Sequence, residues 1–305
     1  MKCINKKTAY LIINFIFLIL LCGCGKNNFA LSYERASSQN TLVQDQLADT
    51  FASDLCVISG NYFEGTDVSI EKESAAGLFD VNHNKVIYSQ NIHERLNPAS
   101  LTKVMTALIA IKYGNTEDTI TCSENVKITE SGATVCGLKA GDTLTLNQAL
   151  HALLINSAND AAIAIAEHIG GSVEGFAAMM NEEAVSLGAT NSHFVNPHGL
   201  TESEHYVTAY DMYLIMNAAM QYEVFNEIIH MSEYSTVYYS SNDSEKQITC
   251  RSTNLFFRGD YAAPDKITVI GGKTGTSEKI DVLDANGKPT LDKIVSFVGV
   301  APMND

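Results

Sequence analysis

An α+β fold is predicted for this chain: an antiparallel sheet flanked by helices, with a helical subdomain inserted between strands. Three observations predict it. Two apolar runs, Ser74 to Asp80 and Lys85 to Ser89, flank Asn82-His83-Asn84 and read as an early hairpin. From about 115 to 250 the chain reads as mainly helical. Beyond 250 strand patterns return at Thr268 to Gly272 and Ile294 to Val300. Strands at both ends with helices between suit one layered domain.

Pro98-Ala99-Ser100 leads into Leu101 to Tyr113, whose apolar residues recur at helical spacing before Gly114. Thr145-Leu146-Asn147-Gln148 is a capping box that opens a second helix. Ala161 to Ile169 makes another, closed by Gly170-Gly171. Val173 to Leu187 ends at Gly188, and Ala209 to Met220 follows Thr208 as its N-cap.

The 305 residues, 46% hydrophobic and 18% charged, suffice for one large core or two modest ones. No fixed-period repeat or long charge block interrupts them. The start is different. Lys2, Lys6 and Lys7 precede an apolar run from Ala9 to Leu21, broken only by Asn14, which is signal-peptide anatomy. The run falls short of the ~20 residues that cross a bilayer. Leu21-Cys22-Gly23-Cys24 resembles a bacterial lipobox, so residues 1–23 are expected to be a lipoprotein signal and Cys24 the acylated first residue. An ordinary cleaved signal is the alternative. Residues 24–58, rich in Asn, Ser, Gln and Ala, read as a tether with a first short helix around Thr41 to Ala52. Residues 59–305 form the expected domain, with its helical subdomain at about 115–250.

Formal net charge is −15, and loss of three signal lysines makes it more negative still. Nucleic acid is thereby an unfavoured partner. Of seven cysteines, five survive signal cleavage. Cys122 and Cys136 enclose a short loop, where a disulfide would contribute roughly 3 kcal/mol. Four separate thiols at Cys56, Cys122, Cys136 and Cys250 are the competing reading. His193, His198 and His205 share one loop but lack helical metal-ligand spacing, and read as polar loop residues.

Three motifs occur in order: Ser100-Leu101-Thr102-Lys103, Ser157-Ala158-Asn159 and Lys273-Thr274-Gly275. Ser-x-x-Lys is expected about once by chance in a chain of this size, and a decoy stands at Ser69-Ile70-Glu71-Lys72. Ser-x-Asn occurs seven times and discriminates little. Lys-Thr-Gly is expected roughly 0.1 times per chain, and occurs once. Context separates Ser100 from the decoy. Ser100 opens a helix, where backbone N–H groups face an anion and one turn brings Lys103 to the same face. Ser69 precedes a charged Glu-Lys-Glu run instead. Without the other motifs, an N-cap would be the leading reading of Ser100.

The three motifs together are shared by penicillin-binding proteins and class A β-lactamases. The longer phrases Pro98-Ala99-Ser100-Leu101-Thr102-Lys103, Ser157-Ala158-Asn159-Asp160-Ala161-Ala162 and Asn196-Pro197-His198-Gly199-Leu200 resemble the serine D-alanyl-D-alanine carboxypeptidases. The resemblance covers roughly 70 to 276. It implies a β-lactamase/transpeptidase-like fold and removal of the terminal D-alanine from peptidoglycan stem peptides through a Ser100 acyl-enzyme. It also implies acylation by β-lactams and no metal or organic cofactor. A serine hydroxyl needs a base, and Lys103 serves only when neutral, which burial and the charge of Lys273 favour. By resemblance, Ser157 relays a proton to the leaving amine and Asn159 holds the substrate amide. Lys273, Thr274, Gly275 and Thr276 bind the terminal carboxylate, and the N–H groups of Ser100 and Thr276 form the oxyanion hole. The expected location is the outer face of the cytoplasmic membrane, with secretion as the alternative.

After Gly275 the carboxypeptidase pattern is expected to stop. Thr276-Ser277-Glu278-Lys279, a polar insertion and Val295 to Pro302 together resemble the class B transpeptidases instead. The resembled fold closes with a strand and a helix that this sequence is expected to lack. Transpeptidation, supported by the tail alone, is therefore a second reading, and a non-catalytic wall-binding lipoprotein a third. β-Lactamase activity ranks lower, because no Glu-x-x-Leu-Asn run follows Asn159.

Overall fold

A computed structural model describes residues 52, 54–63, 70, 72, 74–263, 265, 267–278 and 293–300, the backbone alone being described for 277–278, 293–297 and 300. The signal segment, Cys24, the tether, most of the Thr41 to Ala52 helix and the decoy Ser69 lie outside the described residues. Residues 51–305 make one compact unit. Within it Cys56 is fully buried, its N–H donated to the Tyr213 hydroxyl at 2.9 Å, while the Tyr210 hydroxyl donates to its carbonyl at 3.0 Å.

Strands β1 (Tyr62–Phe63), β2 (Ala76–Asp80) and β3 (Lys85–Gln90) form an antiparallel sheet in the order β1-β3-β2. The predicted hairpin joins β2 to β3. Its turn closes because the Asp80 carboxylate accepts the N–H groups of Asn82 and His83 at 3.1 and 3.2 Å, an Asx turn.

A 3-10 turn, Ala99–Leu101, runs into helix α1 (Thr102–Tyr113). Every α1 residue from Thr102 to Ala110 is buried, the signature of a central helix rather than a surface one. Around it pack α2 (Leu146–Leu154), α3 (Asn159–Gly170), α4 (Val173–Ser186), α5 (Ala209–Ala219) and α6 (Glu223–Ile229). Their ends follow the sequence signals. Thr145 and Gln148 form the reciprocal capping box of α2. Gly171 closes α3 in the left-handed conformation at φ +73°, and Thr208 caps α5 through the Asp211 N–H.

Two strand expectations are corrected. The stretch 115–250 is not mainly helical throughout, because it contains a four-stranded antiparallel sheet. This sheet is β4 (Thr119–Thr121), β5 (Thr143–Thr145), β6 (Glu233–Tyr239) and β7 (Glu245–Arg251). Within this stretch the last helix, α6, ends at Ile229, and no local pattern sets it off from its surroundings. In β6 and β7, Tyr238, Ile248 and Cys250 are buried and alternate with exposed neighbours, the period of two that marks a half-buried strand. A buried Asp142 bonded to Lys246 Nζ at 2.7 Å ties β7 to the turn before β5.

The second correction concerns the motif strand. The apolar run Thr268 to Ile270 precedes it, and the strand itself is β8 (Gly271–Glu278). It pairs antiparallel with β9 (Lys293–Val300) along its whole length, from Gly271 opposite Val300 to Glu278 opposite Lys293. Thr276 to Glu278 thus complete the strand that carries Lys273-Thr274-Gly275. Partner hydrogen bonds, which local hydrophobicity does not report, set these limits. A last short helix, α7 (Leu255–Arg258), precedes β8.

The four described cysteines, Cys56, Cys122, Cys136 and Cys250, are free thiols, so the Cys122–Cys136 bridge is absent and the alternative of separate thiols is the one observed.

Candidate active site

The turn carrying Ser100 is held from three sides. Asn97 accepts the Ala99 N–H at 2.8 Å, and the Leu101 N–H returns to the Pro98 carbonyl at 3.0 Å. Ala99 is forced to φ +47°, a conformation rare outside glycine that marks stored strain. Gly199 presses against it. A Cβ there would lie 1.8 Å from the Ala99 carbonyl oxygen, at a φ of +86°, so only glycine fits.

One turn along, Lys103 is fully buried, with Nζ 3.1 Å from Ser100 Oγ and donating to the His198 carbonyl at 2.6 Å. The segment 196–205 is clipped to α1 by two further bonds. Thr106 Oγ1 donates to the Pro197 carbonyl at 2.6 Å, and His205 Nε2 lies 2.8 Å from Thr102 Oγ1. Because His205 Nδ1 accepts the Val195 N–H, its proton sits on Nε2 and is donated to Thr102. The phrase Asn196 to Leu200 thereby supplies a wall of the site. His198 and His205 act as the polar loop residues expected. Burial is the main cause that lowers them, to about 3 and about 4, and keeps both neutral.

Ser157 sits in the tight bend before α3 at φ +60°. Its Oγ accepts from Lys273 Nζ at 3.0 Å, and the same ammonium donates to the Thr274 carbonyl at 2.7 Å. Asn159, 4% exposed, begins α3 and donates its N–H to the Thr134 carbonyl at 2.8 Å. On β8, Gly275 faces the nucleophile turn. A Cβ there would come within 3.3 Å of the Ser100 and Leu101 nitrogens, so the missing side chain lets strand and turn approach. Thr274 Oγ1 donates to Thr253 Oγ1 at 2.6 Å, and Thr276 is exposed.

Electrostatics divide the two lysines. Burial, then repulsion from Lys273, drives Lys103 well below the ordinary lysine range, opposed by the carboxylate of Asp160. Burial alone brings Lys273 to about 7. Lys273 thus keeps a share of its charge near neutral pH and pushes Lys103 toward the neutral form. Near neutral pH the arrangement offers an amine driven toward its neutral form beside one serine and a part-charged ammonium beside the other.

The structure thus gathers Ser100, Lys103, Ser157, Asn159, Lys273, Thr274 and Gly275 around one locus, with Thr276 next along β8. Motif reading missed three contributors: Thr253 on Thr274, the His198 carbonyl on Lys103, and Asp160. Asp160 lay within a quoted phrase, but its partners come from a segment over twenty residues upstream, and no local pattern announces them. A backbone carbonyl carries no side-chain signal at all.

Known proteins of one family are similar to this chain in sequence and fold. The sequence pattern of the family described as D-alanyl-D-alanine carboxypeptidase matches residues 64–282, so the family pattern runs past Gly275, where a break was expected. The chain is 34% identical over 240 residues to D-alanyl-D-alanine carboxypeptidase DacF of Bacillus subtilis, covering 76% of this chain and 58% of that protein. It is 33% identical over 211 residues to DacA of Escherichia coli, covering 66% of this chain and 49% of that protein. The chain therefore spans about half the length of these curated relatives. Among solved structures, the Streptomyces K15 DD-transpeptidase superposes with a TM-score of 0.62 at 25% identity, over 69% of this chain and 82% of its own. An evolved penicillin-binding protein homologue from Mycobacterium tuberculosis superposes at 0.59 with 26% identity, over 77% and 86%. The expected β-lactamase/transpeptidase-like α+β fold is therefore the observed one, and with a pattern match spanning most of its length, the chain belongs to the D-alanyl-D-alanine carboxypeptidase family.

Proposed function

We propose that the protein is a serine D-alanyl-D-alanine carboxypeptidase acting on peptidoglycan stem peptides that end in D-Ala-D-Ala. The observation that carries this reading is a buried Lys103 amine, driven toward its neutral form, 3.1 Å from the Ser100 hydroxyl. Lys103 takes the Ser100 proton as Oγ attacks the carbonyl of the penultimate D-alanine. The Ser100 and Thr276 N–H groups receive the developing oxyanion. Lys273, Thr274 and Thr276 hold the terminal carboxylate, and Asn159 holds the substrate amide. Ser157, bonded to Lys273, passes a proton to the departing D-alanine amine. Water then cleaves the Ser100 ester. A β-lactam acylates the same oxygen, but its leaving nitrogen stays tethered to the acyl group and blocks water, so the adduct persists.

The test is release of free D-alanine from a synthetic pentapeptide stem. Steady D-alanine release that stops when the terminal residue is L-alanine supports the reading. If an added amino-acid acceptor diverts most acyl-enzyme into a new peptide bond, the second reading, transpeptidation, takes its place. No D-alanine release at all, with no covalent penicillin adduct, leaves the wall-binding reading.

We further propose that Cys24 carries a lipid and anchors the domain to the outer face of the cytoplasmic membrane. The lipobox resemblance at Leu21-Cys22-Gly23-Cys24 supports it. Among the described residues no helix is long and apolar enough to cross a membrane. Cells expressing Cys24→Ala should lose radiolabelled fatty acid from this protein and release it from the membrane fraction. Unchanged lipid labelling would place the anchor elsewhere.

A further inference from the structure

Helix α3 begins without a side-chain cap, since the residue before it is Ala158. An uncapped helix start leaves orphan N–H groups that need partners. Here the partners come from the segment 134–138. The Thr134 carbonyl accepts the Asn159 N–H at 2.8 Å. In return the Asp160 carboxylate, 1% exposed, accepts the N–H groups of Cys136, Gly137 and Leu138 at 2.8 to 3.1 Å. It also accepts the Ala161 N–H at 3.0 Å and the Cys136 thiol at 3.4 Å. Three consecutive backbone N–H groups converging on one anion form a nest. A helix N-terminus adds its own favourable field. Gly137 reaches this geometry at φ +90°, which favours glycine.

We propose that Asp160 is a positioning residue for the Ser100 reaction: its carboxylate binds segment 134–138 to the first turn of α3, and so fixes Ser157 and Asn159 opposite Ser100 and Lys103. The inference rests on the acyl-enzyme reading above. Ser157, Ala158 and Asn159 lead directly into Asp160, and Ser157 is held at a φ of +60° that an unsupported serine would leave. The Asp160–segment bonds are what over-determine that bend from the helix side, while Lys273 secures it from β8. An isosteric amide does not replace the carboxylate. One of its two ends would be an NH2 group, pointing at N–H groups that need an acceptor.

Asp160 has a second effect through its charge. The groups that face Lys103 are Lys273 from β8, His198 and His205 from the segment 196–205, and Asp160 from α3; both histidines are neutral. Asp160 is the negative member of this set and opposes loss of the Lys103 proton. Its removal makes Lys103 easier to deprotonate. The acid limb of the acylation rate then moves to lower pH.

The experiment uses the full chain, with Asp160→Asn and Asp160→Glu beside wild type. Fluorescent-penicillin labelling rates are measured across pH, and backbone amide exchange is followed at residues 136–138. In wild type, the Gly137 and Leu138 amides should exchange slowly, like those of α3. Asp160→Asn should expose them and slow labelling by about 10- to 100-fold, the usual cost of a small misplacement in a site. Its residual rate should show the acid limb moved down. Asp160→Glu keeps the charge with the wrong reach, so it should slow labelling while leaving the limb near that of wild type. A merely structural residue would change the folded fraction and leave the limb in place. Labelling rate and limb unchanged in both variants overturns the proposal, as does rapid wild-type exchange at Gly137 and Leu138, a result that needs no variant to fold. A wild-type chain that takes no penicillin removes the Ser100 reading and this one with it. A wild type that labels while Asp160→Asn labels identically removes this one alone.

Discussion

Ser100→Ala protein should take no fluorescent penicillin, while Ser69→Ala protein should label like wild type. Both serines begin a Ser-x-x-Lys match, so the pattern alone ranks them equally. The difference is physical. Ser100 lies in a 3-10 turn at the head of a buried helix, and Lys103 Nζ stands 3.1 Å from its oxygen with no water-exposed surface. Replacing serine by alanine removes the oxygen to which the acyl group bonds. The expected loss is therefore complete within detection rather than partial. Folding should survive, because Ala99 and Leu101 bear the packing of the turn and Ser100 itself is half-buried. Labelled protein is read by gel fluorescence and the modified peptide by mass. Equal labelling of Ser100→Ala sinks the assignment, and a tagged peptide containing Ser69 would transfer it to the decoy.

Lys103→Ala should keep the serine and lose its base, with acylation slowed on the order of 10²- to 10⁴-fold. For wild type, the sign of the pH dependence follows from the two lysines. Neutral Lys103 becomes more abundant as pH rises, which gives the acid limb of kcat/KM. Charged Lys273 becomes less abundant as pH passes about 7, which gives the basic limb. With Lys103 lowered by burial and by the charge of Lys273, its acid limb is expected on the low-pH side of the Lys273 limb, and the profile is a bell. A bound carboxylate stabilises the Lys273 ammonium, so the basic limb of kcat should lie above that of kcat/KM. Rates for D-alanine release over a pH series check both. A plateau that holds above pH 8 would show that Lys273 keeps its charge, and a continued rise there would show that Lys103 is still protonated.

Burial of the two amines also costs stability. Between the ordinary lysine range and pH 7 the unfolded chain binds protons that the folded site refuses, so stability from this source decreases as pH falls. The site accepts that cost to keep one lysine neutral beside a serine.

Candidate site residues and most helix limits could be read along the chain. Ser100, Lys103, Ser157, Asn159 and Lys273 through Thr276 were legible as candidates through three short motifs and the resemblance of the longer phrases around them to the carboxypeptidases. Caps at Thr145, Thr208 and Gly171 were legible because capping bonds are made between residues three or four apart. The hairpin at Asp80 to Lys85 was legible for the same local reason. Only the tertiary structure decided what depends on partners far along the chain. It set β8 at Gly271–Glu278 through its ladder with β9, and it drew the four-stranded sheet together across more than a hundred residues. Burial of Lys103 and Lys273, the His198 carbonyl on Lys103, and the nest around Asp160 arise in the same way. Hydrogen bonds and desolvation act through space, and a sequence pattern records only what acts along the chain.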